Sequence, residues 1–188
     1  MKKIRVAIAG VGNCASSLVQ GLEYYRGRNV EAYVGLMHAQ IGGWGPSDIE
    51  IVAAFDVDRR KVGKRVEEAI FAKPNCTKVF QSALPASDVV VQMGPILDGI
   101  APHMADYSDD EAFRPSDQEP VNVVQVLKDA NAEVLVCYMP VGSEEAGRYY
   151  AQSCLEAGVA LVRSEEPTSE LQSQAALAFL PLLDSKTY

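Results

Sequence analysis

Short apolar runs alternate along the chain with stretches in which apolar side chains recur at helical spacing. The runs predict buried strands and the stretches between them predict helices. Predicted strands cover residues 4–9, 49–55, 87–93, 132–139 and 159–162, with a weak one around 79–80. Predicted helices cover residues 13–26, 58–71, 120–131 and 143–158. This alternation predicts an α/β fold, a doubly wound parallel sheet with helices on both faces.

The turn after the first strand carries glycines at a spacing that nucleotide-binding folds use. The sequence Gly10-Val11-Gly12-Asn13-Cys14-Ala15 follows this strand directly and opens the first helix. Gly10 suits the tight turn, Gly12 lets the backbone approach a pyrophosphate, and Ala15 lets the helix pack on the strand. A pyrophosphate at the helix N-terminus is favoured by its N–H groups and dipole. We therefore predict an NAD(P)-binding Rossmann-like domain; a glycine turn in another α/β protein is the alternative.

An acid, Asp56, follows the second strand. In dinucleotide-binding folds an acid at this place binds the adenosine ribose hydroxyls. Because a carboxylate also repels a 2′-phosphate, the sequence predicts NAD rather than NADP. The acid lies farther from the glycines than the usual ~20 residues, since a glycine-rich stretch at 27–48 intervenes. An ordinary turn aspartate is the alternative role for Asp56.

Charge and composition narrow the function classes. The 188 residues carry a net charge of −8, and the short basic run 59–61 is interpreted as a solvated face, so we expect no nucleic-acid partner. No apolar run approaches the ~20 residues of a membrane span, and no signal-peptide pattern opens the chain, so we expect a cytoplasmic protein. Four scattered cysteines and two histidines predict reduced thiols and no metal site.

Several stretches together resemble one family. Residues 3 to about 162 are similar to the N-terminal half of the bacterial and archaeal myo-inositol-1-phosphate synthases (inositol-3-phosphate synthases). The resemblance implies a homotetrameric NAD enzyme of inositol and phospholipid biosynthesis. It would isomerise D-glucose 6-phosphate to 1D-myo-inositol 3-phosphate by oxidation, aldol cyclisation and reduction. The stretches are GVGNCASSL (10–18), GLMH (35–38), AAFDVDRRKVG (53–63), GPILDG (94–99), EPVNVVQVLKDA (119–130) and YMPVGSEEA (138–146).

The resemblance also implies roles for particular residues. The family's catalytic lysines and aspartates correspond to positions beyond residue 162, so no catalytic residue is assigned. This chain is expected to carry only the cofactor half and to be inactive alone. Cys14 is interpreted as a small packing residue behind the loop rather than a nucleophile. The cofactor-binding residues would be Gly10, Val11, Gly12, Asn13 and Cys14 at the pyrophosphate, Asp56 at the ribose, and Pro140, Gly142 and Ser143 at the nicotinamide end.

The sequence also predicts how the chain is divided. Residues 1–162 form the NAD-binding domain, with insertions at 27–48 and 96–118, and the family's catalytic domain would follow. From Arg163 the resemblance stops, and residues 163–188 are predicted to be a non-family tail that resembles translated sequencing-adapter DNA; a genuine C-terminal helix is the alternative. Two other functions stay open: an NAD-dependent dehydrogenase of a sugar or amino-acid derivative, and a non-catalytic dinucleotide-binding module.

Overall fold

A five-stranded parallel sheet forms the centre of the fold. The computed structural model describes residues 3–29, 35–98, 104, 106–140 and 142–163. Every pairing between neighbouring strands is parallel, and the order is β3-β2-β1-β4-β5. This is the order of the first five strands in doubly wound dinucleotide-binding folds, so the predicted fold class is confirmed. The strands are β1 (Ile4–Ala9), β2 (Ile49–Asp56), β3 (Val91–Met93), β4 (Val134–Cys137) and β5 (Ala160–Arg163).

Helices cover both faces of the sheet and enclose two hydrophobic clusters. One cluster packs α1 and α2 against Ile8 of β1, and the other packs α3 and α4 against its neighbours Ala7 and Ala9. Successive side chains of a strand point to opposite faces, so β1 contributes to both clusters. The helices are α1 (Asn13–Tyr25), α2 (Val66–Ala69), α3 (Val123–Asp129) and α4 (Glu144–Ala157), with a short 3-10 helix at Pro46–Asp48.

The prediction of a helix over 58–71 is wrong, because only α2 is helical in this stretch. The backbone of residues 63–66 instead pairs with the chain leading into β3, through hydrogen bonds such as Gly63 N–H to Val91 O at 2.8 Å. The predicted apolar stripe of Val62, Val66 and Ile70 is nevertheless buried. Helical spacing therefore identified the inward side chains but not the backbone that carries them.

Other boundaries also differ from the predictions. The weak strand around 79–80 does not form, since buried Gln20 of α1 accepts hydrogen bonds from Phe80 N–H and Gln81 N–H in place of a neighbouring strand. β3 and β4 are shorter than predicted. Helix α3 starts at Val123 rather than at Pro120, because Asn122 caps it by accepting from Gln125 N–H at 3.1 Å.

The described part of the 96–118 insertion is tied to the segment after β2 by a buried acid. Asp58 is fully buried and accepts hydrogen bonds from the Arg60 side chain and from the N–H of Arg114. Burial alone would raise the pKa of Asp58, but these hydrogen bonds outweigh it and the pKa lies below its ordinary value. The Arg60 side chain also reaches the carbonyl of Ala112 at 2.8 Å. The insertion is thereby held over the end of β2.

The last strand of the described residues, β5, lies beside the predicted domain boundary at 162. β5 runs through Arg163, one residue beyond the predicted strand, and the Arg163 guanidinium packs on Gly147 of α4. Residues 164–188 lie outside the described residues, so the division at 162 and the tail stay predictions. In the part of the chain that the structure describes, no helix is long and apolar enough to cross a membrane.

Candidate functional site

A cleft of about 220 Å³ opens at the carboxyl ends of the strands. The glycine loop after β1 forms one side and residues 138–140 after β4 form the other. The strand order reverses between β1 and β4, and doubly wound sheets bind ligands at this switch point. Other residues lining the cleft are Asp56 at the end of β2, Val57 and Lys61 just after it, Pro74 and Asn75 before β3, Pro95, Ile96, Leu97 and Phe113 between β3 and α3, and Ala146 and Tyr150 of α4.

The two loop glycines are required for different reasons. Gly10 has φ +90°, its N–H donates to Phe55 O at 2.8 Å, and a Cβ there would lie 2.9 Å from the carbonyl oxygen of Tyr138. A side chain at position 10 would therefore collide with the protein itself. Gly12 has an ordinary φ of −90°, and no atom lies within 4 Å of a Cβ built on it. The space over Gly12 is thus open for a ligand.

Helix α1 presents an uncapped N-terminus to this loop. The first-turn N–H groups of an α-helix have no acceptor within the helix, and the N-cap of α1, Gly12, has no side chain to offer. The N-termini of α3 and α4 are closed by the side chains of Asn122 and Asp98. An anion such as a diphosphate is stabilised at an open helix N-terminus. The residues around Gly12 therefore fit the pyrophosphate of a dinucleotide.

Asp56 fastens the glycine loop to the end of β2. The residue is 9% exposed, and its Oδ2 accepts a hydrogen bond from Val11 N–H at 2.7 Å. Its Oδ1 accepts from the N–H groups of Val57 and Asp58, both at 2.8 Å. The carboxylate still lines the cleft. Asp56 therefore fixes the shape of the loop, a role that the ribose prediction did not contain.

Lys61 and Asn75 belong to the same cleft and were missed from the sequence. Lys61 is 3% exposed, and its Nζ lies 2.9 Å from Asn75 Oδ1 and 3.8 Å from Asp56 Oδ2. Asn75 in turn donates from Nδ2 to the carbonyl oxygens of Val11 and Ile70. Interpreting 59–61 as a solvated face is therefore wrong for Lys61. A count of local charges cannot tell which member of a basic run points inward.

Asn13 connects the loop to another wall of the cleft. Its Oδ1 accepts from the N–H of Cys76 at 2.8 Å and of Thr77 at 3.1 Å. Cys14, by contrast, is exposed and lines a groove beside α1 rather than the cleft. The interpretation of Cys14 as a small packing residue behind the loop is therefore wrong, because the residue is exposed.

The turn after β4 lies only partly at the cleft. Pro140 lines it, whereas exposed Gly142 and buried Ser143 do not, and Val141 lies outside the described residues. Ser143 occupies the N-cap position of α4, but its Oγ has no hydrogen-bond partner in the structure.

Asp98 caps α4 instead of Ser143. Its carboxylate accepts from Glu145 N–H at 2.7 Å and Ala146 N–H at 3.0 Å. A full negative charge interacts with a helix N-terminus more strongly than a hydroxyl does. The same contact holds the end of the loop against α4, next to residues 95–97, which line the cleft.

We expect Asp98→Ala to lower the free energy of unfolding by about 1–2 kcal/mol at neutral pH, the usual cost of losing an N-cap. Burial alone would raise the pKa of Asp98, but the hydrogen bonds from the N–H groups of Glu145 and Ala146 outweigh it and hold the pKa below its ordinary value. A lowered folded-state pKa stabilises the protein above the unfolded pKa, and that stabilisation is lost as pH falls through the folded value.

The difference in the free energy of unfolding between the native protein and Asp98→Ala should therefore be constant from pH 7 down to about pH 5. It should become smaller below about pH 4. Urea denaturation at several pH values measures it. Exposed Asp117 provides the matched control, since Asp117→Ala should change little at any pH. If this difference in the free energy of unfolding is the same at pH 7 and pH 3, the charge of the Asp98 carboxylate does not contribute to stability.

Three curated bacterial proteins are about half identical to this chain over the region that matches. The inositol-3-phosphate synthase of Mycolicibacterium smegmatis is 53% identical over 163 residues, and that of Mycobacterium tuberculosis is 52% identical over 163. The synthase of Corynebacterium glutamicum is 51% identical over 162 residues. The chain resembles bacterial inositol-3-phosphate synthases. Each match covers 86% of this chain and 43% of the relative, so the chain spans less than half of their length.

Solved structures share the fold of this chain. The crystal structure of Ari2 is 34% identical with a TM-score of 0.72, and the match covers 94% of this chain and 52% of Ari2. A myo-inositol-1-phosphate synthase-related protein from Thermotoga maritima is 18% identical with a TM-score of 0.58, covering 94% and 51%; it supports the fold alone. No family model matches the chain. The resemblance that the sequence stretches predict is thus confirmed.

Proposed function

We propose that this chain is the cofactor-binding part of an inositol-3-phosphate synthase, an isomerase that converts D-glucose 6-phosphate to 1D-myo-inositol 3-phosphate. The observation that carries the proposal is the 53% identity over 163 residues to such a synthase. The match covers 86% of this chain. A homotetramer is the assembly that we propose for the complete enzyme.

The cofactor that we propose for the cleft is NAD. The open space over Gly12 and the uncapped N-terminus of α1 would take the pyrophosphate, and Asp56 would take the adenosine ribose. Pro140 lies on the opposite side of the cleft, where the nicotinamide end would lie. When bound, NAD supplies an acceptor for hydride from the sugar and a donor that returns it.

The apolar lining of the cleft suits a flat ring that reacts away from water. Ile96, Leu97, Phe113 and Met139 are among the apolar residues that line it. Apolar walls exclude water, which strengthens electrostatic interactions and protects reactive intermediates. We propose that the groups acting on the sugar come from the part of the synthases outside the matched region, which is more than half of each relative.

A chimera tests this function directly. Residues 1–162 of this chain would replace the matching part of the Mycolicibacterium smegmatis synthase, and the product would be assayed with glucose 6-phosphate and NAD. The proposal predicts inositol phosphate without net accumulation of NADH, because the hydride is returned in each turnover. Accumulating NADH would indicate a dehydrogenase, and NAD binding without any product would indicate a non-catalytic binding module. Either result would contradict the proposal.

A further inference from the structure

We propose that Lys61 is a specificity-determining residue of the cleft, which sets how strongly the site discriminates between NAD and NADP. In this view its ammonium group offsets the charge of Asp56 and donates a hydrogen bond to the adenosine ribose. The inference rests on the proposed function, because it takes the cleft to be a dinucleotide site. It adds a residue and a physical basis for cofactor choice to that function.

The position of Lys61 is fixed by its partner. Asn75 donates from Nδ2 to two backbone carbonyls, those of Val11 at 3.0 Å and Ile70 at 2.9 Å. The amide oxygen of Asn75 must then face the other way, towards Lys61 Nζ at 2.9 Å. The ammonium group is consequently held at the wall of the cleft, 3.8 Å from Asp56 Oδ2.

Lys61 is not needed to satisfy the hydrogen bonds of Asp56. Three backbone N–H groups, of Val11, Val57 and Asp58, already donate to the two carboxylate oxygens. An ammonium group carries three protons, and Asn75 accepts one of them. Burying a lysine is costly unless its charge is compensated. A compensated ammonium with protons to spare, on the wall of the cleft, is placed to bind an oxygen of a ligand.

The ammonium of Lys61 beside the carboxylate of Asp56 changes how electrostatics would discriminate between NAD and NADP. An isolated carboxylate beside the ribose would repel a 2′-phosphate strongly. With Lys61 beside it, the pair is nearly neutral as seen from the cleft, and the ammonium attracts a phosphate. We therefore expect this chain to prefer NAD by a smaller factor than Asp56 alone would produce.

The test measures the dissociation constants of NAD and NADP by calorimetry for the 188-residue chain and its variants. Lys61→Gln keeps a donor for Asn75 but removes the charge, and Lys61→Met removes both. We expect both variants to bind NAD somewhat more weakly and NADP much more weakly, so that the ratio of Kd for NADP to Kd for NAD rises about tenfold, a change equal to 1.4 kcal/mol. Lys61→Arg should restore the native ratio.

Lys64 provides the matched control, because its side chain is exposed on the same segment; Lys64→Met should leave both dissociation constants unchanged. Circular dichroism on every variant shows whether it is folded. If Lys61→Gln raises both dissociation constants by the same factor, or neither, Lys61 only positions the loop and the inference is overturned. If the native chain binds neither nucleotide, the proposed function fails as well, and that result is distinct from an unchanged ratio.

Discussion

Gly10→Val should destabilise the protein by about 2–6 kcal/mol and abolish NAD binding, combining the cost of a strained backbone with that of overpacking. Position 10 has φ +90°, which β-branched residues avoid, and the new Cβ would lie 2.9 Å from the carbonyl oxygen of Tyr138. That oxygen belongs to the backbone and cannot swing aside as a flexible side chain would. Urea denaturation and NADH fluorescence titration measure the two effects.

Gly12→Ala separates binding from folding. A Cβ at position 12 meets no protein atom within 4 Å, and the φ of −90° suits alanine. The variant should lose at most about 1 kcal/mol, because alanine is a poorer N-cap than glycine. It should nevertheless bind NAD at least about tenfold more weakly, since the methyl group occupies space in which the pyrophosphate would lie. Native affinity in Gly12→Ala would place the pyrophosphate elsewhere.

Asp56→Ala should have a comparably large effect on stability. It removes the acceptor of three backbone N–H groups, and two of the donating residues, Val11 and Asp58, are fully buried. An unpaired buried donor costs about 1–3 kcal/mol, so we expect these two to cost roughly 2–6 kcal/mol together. Hydrogen exchange at the amide of Val11 should accelerate well beyond the change at other core amides.

Asp56→Asn is the intermediate variant, because the asparagine amide keeps one of the two acceptor oxygens. We expect it to lose about half as much free energy of unfolding as Asp56→Ala. Exposed Asp88 is the matched control, and Asp88→Ala should be close to native in both stability and NAD binding. If Asp56→Ala is as stable as the native protein, the carboxylate does not hold the glycine loop.

The topology and the glycine loop could be predicted from the sequence because both depend on local patterns. A strand followed by Gly10-Val11-Gly12 and a helix can be recognised within about fifteen consecutive residues. Alternating strands and helices leave few arrangements for a parallel sheet. Asp56 could be predicted as a site residue because the end of β2 is a fixed place in this architecture.

The remaining part of the site depends on contacts between residues that are distant along the chain. Lys61 meets Asn75 only because the segment 63–66 pairs with the chain before β3 instead of continuing as a helix. Asp98 displaces Ser143 as the cap of α4 because the loop after β3 returns to that helix. Neither contact follows from a local sequence pattern, so the sequence alone could not predict them.

The structure of this chain with NAD bound would test the central claim, that the cleft between β1 and β4 is a dinucleotide site. We predict the pyrophosphate over Gly12 at the N-terminus of α1, and the adenosine ribose within hydrogen-bond reach of Asp56 and Lys61. NAD bound elsewhere on the protein, or reversed so that the nicotinamide end lies at Asp56, would contradict the account.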